Sequence, residues 1–76
     1  MSEGAREHGV PEADTRHAVA NALRSIARNG SMTLFIGPDR TGRLLEVVVL
    51  DDDPDEEPVV VHSMPLRKSY YRFLER

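Results

Sequence analysis

His62 stands at the end of a run of valines, Val59-Val60-Val61, and Arg67, Lys68, Tyr70, Tyr71 and Arg72 follow within ten residues. An imidazole has the side-chain pKa nearest neutrality, so it can give or take a proton under ordinary conditions. Guanidinium and ammonium groups just beyond it, on a segment started by Pro65, can hold an anion, and an arginine fork matches a phosphate especially well. These residue types put a titratable ring beside a cluster of cations. Arg40 and Arg43, carried by an earlier turn, can add positive charge, and Tyr71 and Arg72 can contact a planar or charged ligand. Glu46 becomes a partner for His62 only if the strands that carry them pair in a register that puts both side chains on one face, because a slip of one residue reverses the face.

Charge is distributed to suit such a site. The chain has 76 residues and a net charge of −3, yet from residue 60 onward four Lys/Arg stand against one acidic residue, while residues 1 to 59 hold six against twelve. The overall balance hides a basic end. There is no cysteine, which excludes a disulfide framework and a thiolate metal site and suits a reducing cytoplasm. No apolar run approaches the roughly 18 to 20 residues needed to span a bilayer, so a membrane location is not expected.

Those residues need elements to hold them. Residues 1–9 are polar and show no apolar period, which predicts a flexible lead-in, and residues 10–76 are expected to form one small domain. Pro11 suits a helix start, Glu12 and Asp14 suit the positive end of its dipole, and Asn29-Gly30 reads as its stop. Thr15, Ala18, Val19, Ala22, Leu23 and Ile26 recur at helical spacing between those limits, with His17, Asn21, Arg24 and Arg28 on a polar stripe. After Gly30 the period falls to two, predicting a strand over Met32 to Ile36, a reversal at Gly37 to Gly42, and a second strand over Leu44 to Leu50. Asp51 to Pro58 is a loop, since two prolines prevent regular pairing and six carboxylates repel one another. That loop lacks the glycine and ligand spacing of a calcium-binding EF-hand and reads as a solvated turn, with no metal expected. Val59 to Met64 is the third strand and Pro65 opens a short C-terminal helix. The expected architecture is α+β: an N-terminal helix, a three-stranded antiparallel meander with helices on one face, and edges open to pairing with a partner or a second copy.

Four short pieces carry a family likeness: His8-Gly9-Val10, Ile36-Gly37-Pro38-Asp39-Arg40, Gly42-Arg43-Leu44-Leu45-Glu46-Val47 and Val61-His62-Ser63-Met64-Pro65. Together they resemble small bacterial proteins akin to the BrnT-type toxins, which have a RelE-like fold and act as ribonucleases of type II toxin–antitoxin pairs. The resemblance implies an endoribonuclease that needs no cofactor, with RNA as substrate and a cognate antitoxin as partner. The chain departs from the family pattern where Pro65 occupies the place of an arginine, and Arg67 is the nearest substitute. Metal-free RNA cleavage needs a base for the 2′-hydroxyl, a cation for the phosphate and an acid for the leaving 5′ oxygen. His62, Glu46 and Arg67 are the catalytic candidates, and Arg40, Arg43, Lys68, Tyr71 and Arg72 the candidates for holding RNA. The alternative is a non-catalytic interaction module that keeps the fold, which the acidic net charge favours.

Overall fold

The structure, a computed structural model, describes residues 9–75; the lead-in expected over residues 1–9 lies almost wholly outside that range. A single α-helix, α1 (Glu12–Ala20), precedes four strands, β1 (Arg24–Ala27), β2 (Met32–Pro38), β3 (Leu44–Leu50) and β4 (Val59–Pro65), and a 3-10 helix follows over Lys68–Leu74. The strands lie in the order β1-β2-β3-β4, each antiparallel to its neighbour. The α+β meander is therefore four strands wide rather than three.

The additional strand comes from the half of the expected helix that does not form. The helix ends at Ala20, and Arg24 to Ala27 pair with Ile36 to Thr33. Asn29-Gly30 is the reason: Gly30 adopts φ +65° and Arg28 N–H donates to Met32 O at 2.8 Å, so this dipeptide turns a hairpin instead of stopping a helix. Asn-Gly between apolar runs is a strong hairpin signal because it accepts positive φ cheaply. The helical spacing of Leu23 and Ile26 loses to four ladder positions on β2.

Strand alternation divides the side chains between two faces. Ala18 of α1 packs with Val10, Leu45, Val47 and Val60 in the main core, and Val19, Phe35 and Val49 border it. Full burial of each valine or leucine of that core contributes about 1.5 to 3 kcal/mol. The opposite face carries Leu34 and Ile36, both fully buried, together with Glu46 and its cross-strand neighbour Met64. The C-terminal segment crosses this second face: Leu66 N–H extends the ladder to Leu44 O, Arg67 reaches Glu46, and Arg24 donates to Leu74 O. The two helices thus lie on opposite faces of the sheet, not on one. Pro65 closes β4 instead of opening a helix, and the 3-10 turn begins three residues later.

Two hydroxyls sit inside the helix–sheet interface. Thr15 Oγ1 and Ser63 Oγ lie 2.8 Å apart and neither is exposed. Each satisfies the other, so removing one leaves a buried polar group unmatched. Ser63→Ala is expected to cost about 1 to 2 kcal/mol in urea unfolding, with most of it recovered in the Thr15→Val/Ser63→Ala double variant. Equal loss in single and double variants would show that shape, not hydrogen bonding, sets this contact.

Candidate functional site

Glu46 is the centre of the site. It lies in the middle of β3 with no exposed surface, an arrangement that is costly for a carboxylate without compensating donors. Arg67 supplies most of them: its backbone N–H donates to Oε1 at 2.9 Å, Nε to both oxygens at 3.0 and 3.2 Å, and Nη2 to Oε2 at 2.9 Å. His62 Nε2 donates to Oε2 at 3.0 Å. A carboxylate can only accept, so the imidazole proton on Nε2 is fixed by its partner. Burial pushes the Glu46 carboxyl up more than any other single influence, but Arg67 and His62 together outweigh it and hold the group below the usual glutamate range. The same contact raises Arg67.

Register brings these groups together. Glu46 pairs with Met64 and His62 with Val48, so Glu46 and His62 leave the same face two residues apart on the ladder. A bulge between Val48 and Val49 sets the face of everything before it on β4. Val60, paired with Val49, becomes the buried valine, whereas Val61 remains 41% exposed. His62 keeps 25% and Arg67 48% of their side chains accessible. A buried carboxylate therefore holds an imidazole and a guanidinium that both still reach solvent.

The aromatic residues of the 3-10 helix extend this arrangement. The Arg67 guanidinium lies 4.7 Å from the Tyr70 ring centre and that of Arg28 lies 6.0 Å from it, while Tyr70 meets Phe73 edge to face at 5.5 Å. Tyr71 points elsewhere and is half exposed. Lys68 is exposed, and the Arg72 guanidinium stands 5.0 Å from the Phe73 ring. Lys68, Tyr71 and Arg72 thus occupy the segment that also carries Arg67.

Arg40 and Arg43 are placed differently. Arg40 Nε donates to Asp14 at 2.7 Å, joined by its backbone N–H at 3.1 Å, and Arg43 Nε lies 3.6 Å from Asp39. Arg40 holds the Asp14 carboxyl below its ordinary range, chiefly through its side-chain hydrogen bond. Asp39 is nearly buried inside its own turn, where it accepts from Thr41 N–H, Thr41 Oγ1 and Arg43 N–H, and the Thr41 hydroxyl is the main cause of its lowered pKa. Both arginines have their charge met within the β2–β3 hairpin and α1, which weakens them as phosphate ligands. His17, expected on a solvated stripe, donates from Nδ1 to Pro38 O at 2.8 Å and ties the helix to the end of β2.

Arg24 and Arg28 escaped the sequence reading as site residues. Their place on an expected helix put them far from the C-terminus; at the start of β1 and just after its end they border the face that carries Glu46, with Arg24 paired to Ile36 and Arg28 beside Tyr70. Only the Asn-Gly hairpin signal could have moved them there from sequence. Among the described residues, Arg16, Arg40 and Arg43 pair with carboxylates of α1 and the β2–β3 turn, and Arg67 with Glu46. No ion pair is formed by Arg24, Arg28, Lys68 or Arg72 within that range, so uncompensated positive charge gathers on the face of the 3-10 helix.

The fold and site define a small α+β domain with a buried carboxylate, an accessible imidazole and a basic rim. No family model matches the chain, and no match was found among curated proteins or among solved structures. Among the described residues no helix is long and apolar enough to cross a membrane.

Proposed function

We propose that this protein is a toxin-like endoribonuclease that cleaves RNA without a metal, in the cytoplasm, and is neutralised by an antitoxin covering its basic face. The observation that carries this is the contact of His62 and Arg67 with one buried carboxylate while both remain accessible. The His62 imidazole, held to Glu46 through Nε2, takes the 2′-hydroxyl proton in this reading and returns it to the leaving 5′ oxygen. Lys68 and Arg72, exposed and without an ion pair among the described residues, stabilise charge developing on the phosphate beside the Arg67 guanidinium that Glu46 orients, and Arg24 and Arg28 draw the RNA backbone to that face. Tyr71 offers an exposed ring for stacking.

Glu46 has a different part from the acid or base suggested by its alternation with His62. Its oxygens are filled by four donor groups, and its pKa is lowered, so it is a poor proton acceptor near neutrality. It is a positioning residue that orients the imidazole and the guanidinium, as a carboxylate orients histidine in other acid–base sites.

The test is incubation of the purified protein with single-stranded RNA in the presence of a chelator. Cleavage by the parent is expected, with His62→Ala slower by about 100-fold or more and Arg67→Lys, which keeps charge but loses the fork, also impaired. Equal cleavage by parent and His62→Ala would remove His62 from the chemistry. A second reading, a non-catalytic interaction module, is favoured by the net charge of −3 and by the neutralisation of Arg40 and Arg43. It predicts no cleavage by the parent under any of these conditions.

A further inference from the structure

We infer that the outer side of the 3-10 helix is a subsite for single-stranded nucleic acid, DNA as well as RNA, in which one base stacks on Tyr71 and the neighbouring phosphates meet Lys68, Arg72 and Arg28. This deepens the reading above and rests on the same basic face. A 3-10 helix repeats every three residues, so side chains at i and i+3 stand one above the other. Over Lys68–Leu74 that period sorts the side chains into three columns. Tyr70 and Phe73 form the first; their rings meet edge to face at 5.5 Å and both are half-buried. Lys68, Tyr71 and Leu74 form the second, and Ser69 and Arg72 the third. Tyr71 is 50% exposed, and Lys68, Ser69 and Arg72 are exposed beside it. An open ring thus stands one turn from an ammonium and one residue from a guanidinium.

The surroundings of that ring select the ligand. Arg28, Lys68 and Arg72 form no ion pair among the described residues, and Glu75 is the one carboxylate in residues 66–75. Arg72 stands 5.0 Å over the Phe73 ring and Arg28 6.0 Å over that of Tyr70. A guanidinium over an aromatic ring keeps its charge and its in-plane N–H groups for an oxygen acceptor. Cations spaced around an exposed ring match phosphates spaced around a base. In a duplex the bases are stacked inside and do not reach a tyrosine, whereas a single strand lays its bases on such a platform. An acidic protein segment would meet the cations but has no base for Tyr71. Contacts from lysine and arginine to phosphate read neither sequence nor the sugar hydroxyl, so a DNA strand occupies the subsite as an RNA strand does. DNA lacks the 2′-hydroxyl that the proposed cleavage uses and therefore sits there unproductively.

Fluorescence anisotropy with labelled oligodeoxythymidylate and oligouridylate of about 10 nucleotides tests this. The protein is expected to bind the two within about threefold of each other, and a duplex of the same length about tenfold more weakly or worse. The logarithm of affinity should fall with the logarithm of salt at a slope of about −2, roughly 0.7 for each of three cations. Tyr71→Ala should weaken binding about tenfold and leave that slope unchanged, while Tyr71→Phe, which keeps the ring, binds as the parent does. Lys68→Gln and Arg72→Gln should each flatten the slope by about 0.7, with circular dichroism unchanged in every variant. No binding of the deoxy strand, a Tyr71→Ala variant as tight as the parent, a duplex held as tightly as a single strand, or equal displacement by polyglutamate of matched charge would each overturn the proposal. None of these measurements needs cleavage. A protein that binds both strands but leaves RNA whole loses the ribonuclease reading and keeps the subsite; one that cleaves RNA undiminished under saturating oligodeoxythymidylate loses the subsite.

Discussion

Arg67→Met is expected to lower the melting temperature by on the order of 10 °C, and Glu46→Leu to lower it far less. The two side chains form one ion pair but occupy different environments: Glu46 has no exposed surface, whereas Arg67 keeps 48% of its side chain accessible. Removing Arg67 leaves a carboxylate inside the sheet face beside Leu34 and Ile36 with His62 as its remaining side-chain donor. Removing Glu46 leaves a guanidinium that can be hydrated and still stacks on Tyr70. A leucine at position 46 would extend the apolar surface already formed by its neighbours. The double variant should resemble Glu46→Leu, because the penalty in Arg67→Met comes from the stranded carboxylate and not from the missing arginine. Thermal unfolding followed by circular dichroism at neutral pH decides this, and equal losses in the two single variants would contradict it.

The same pair sets how stability responds to acid. In the parent the folded carboxyl lies below its unfolded value of about 4.3. Its contribution is therefore complete above that value and is lost as pH falls through the lower folded pKa. In Arg67→Met the influence of burial prevails, the folded pKa rises above the unfolded one, and protonation then favours folding. On acidification the variant should gain stability above about 4.3, where the parent stays level, and the parent should weaken below it. Parallel pH profiles for the two proteins would show that Glu46 is not held as described.

Gly37→Ala is expected to damage the fold about as severely, by about 3 kcal/mol. Gly37 sits on β2 under the C-terminal end of α1, and a methyl group there would run into the Ala18 carbonyl oxygen and approach Ala22 Cα to 2.9 Å. Both obstacles are backbone, which cannot swing aside as a flexible side chain would. The helix would have to lift from the sheet, loosening Ala18, Thr15 and the core around Leu45 and Val47. Gly30→Ala provides a contrast. A methyl there meets nothing within 4 Å, and its cost comes only from the positive φ of the hairpin turn, about 1 kcal/mol. Urea unfolding of both variants separates the two causes. A smaller loss for Gly37→Ala than for Gly30→Ala would show that the Ala18 carbonyl and Ala22 do not close off the space above Gly37.

Much of the frame follows from local pattern. Period-two alternation over Met32 to Ile36, the apolar run Leu44 to Leu50, the turn between Gly37 and Gly42, and the acidic break before Val59 are backbone preferences and solvation effects that act over a few residues. They held in three dimensions for β2, β3 and β4. The helix start at Pro11-Glu12 was legible for the same reason, as was the concentration of basic residues after His62. Tyr71 as the outward tyrosine also followed from spacing alone.

The chain by itself determined the α+β class, those three strands and the linear neighbourhood of His62 and Arg67. Tertiary structure decided the rest. Leu23 and Ile26 suit a helix as well as a strand, and only the ladder with β2 chose between them, moving Arg24 and Arg28 to the face of the 3-10 helix. A bulge of one residue at Val61 governed which valine entered the core, a parity that no alternation pattern reveals. Glu46 was visible as one acid in an apolar strand, but its partner lay 21 residues away, and its protonation state depends on four donors brought to it by pairing and chain reversal. The charge of Arg40 and Arg43 was likewise met by Asp14 and Asp39 across the fold. Local preferences are written in neighbouring residues; burial, register and charge compensation arise only when distant residues share a face.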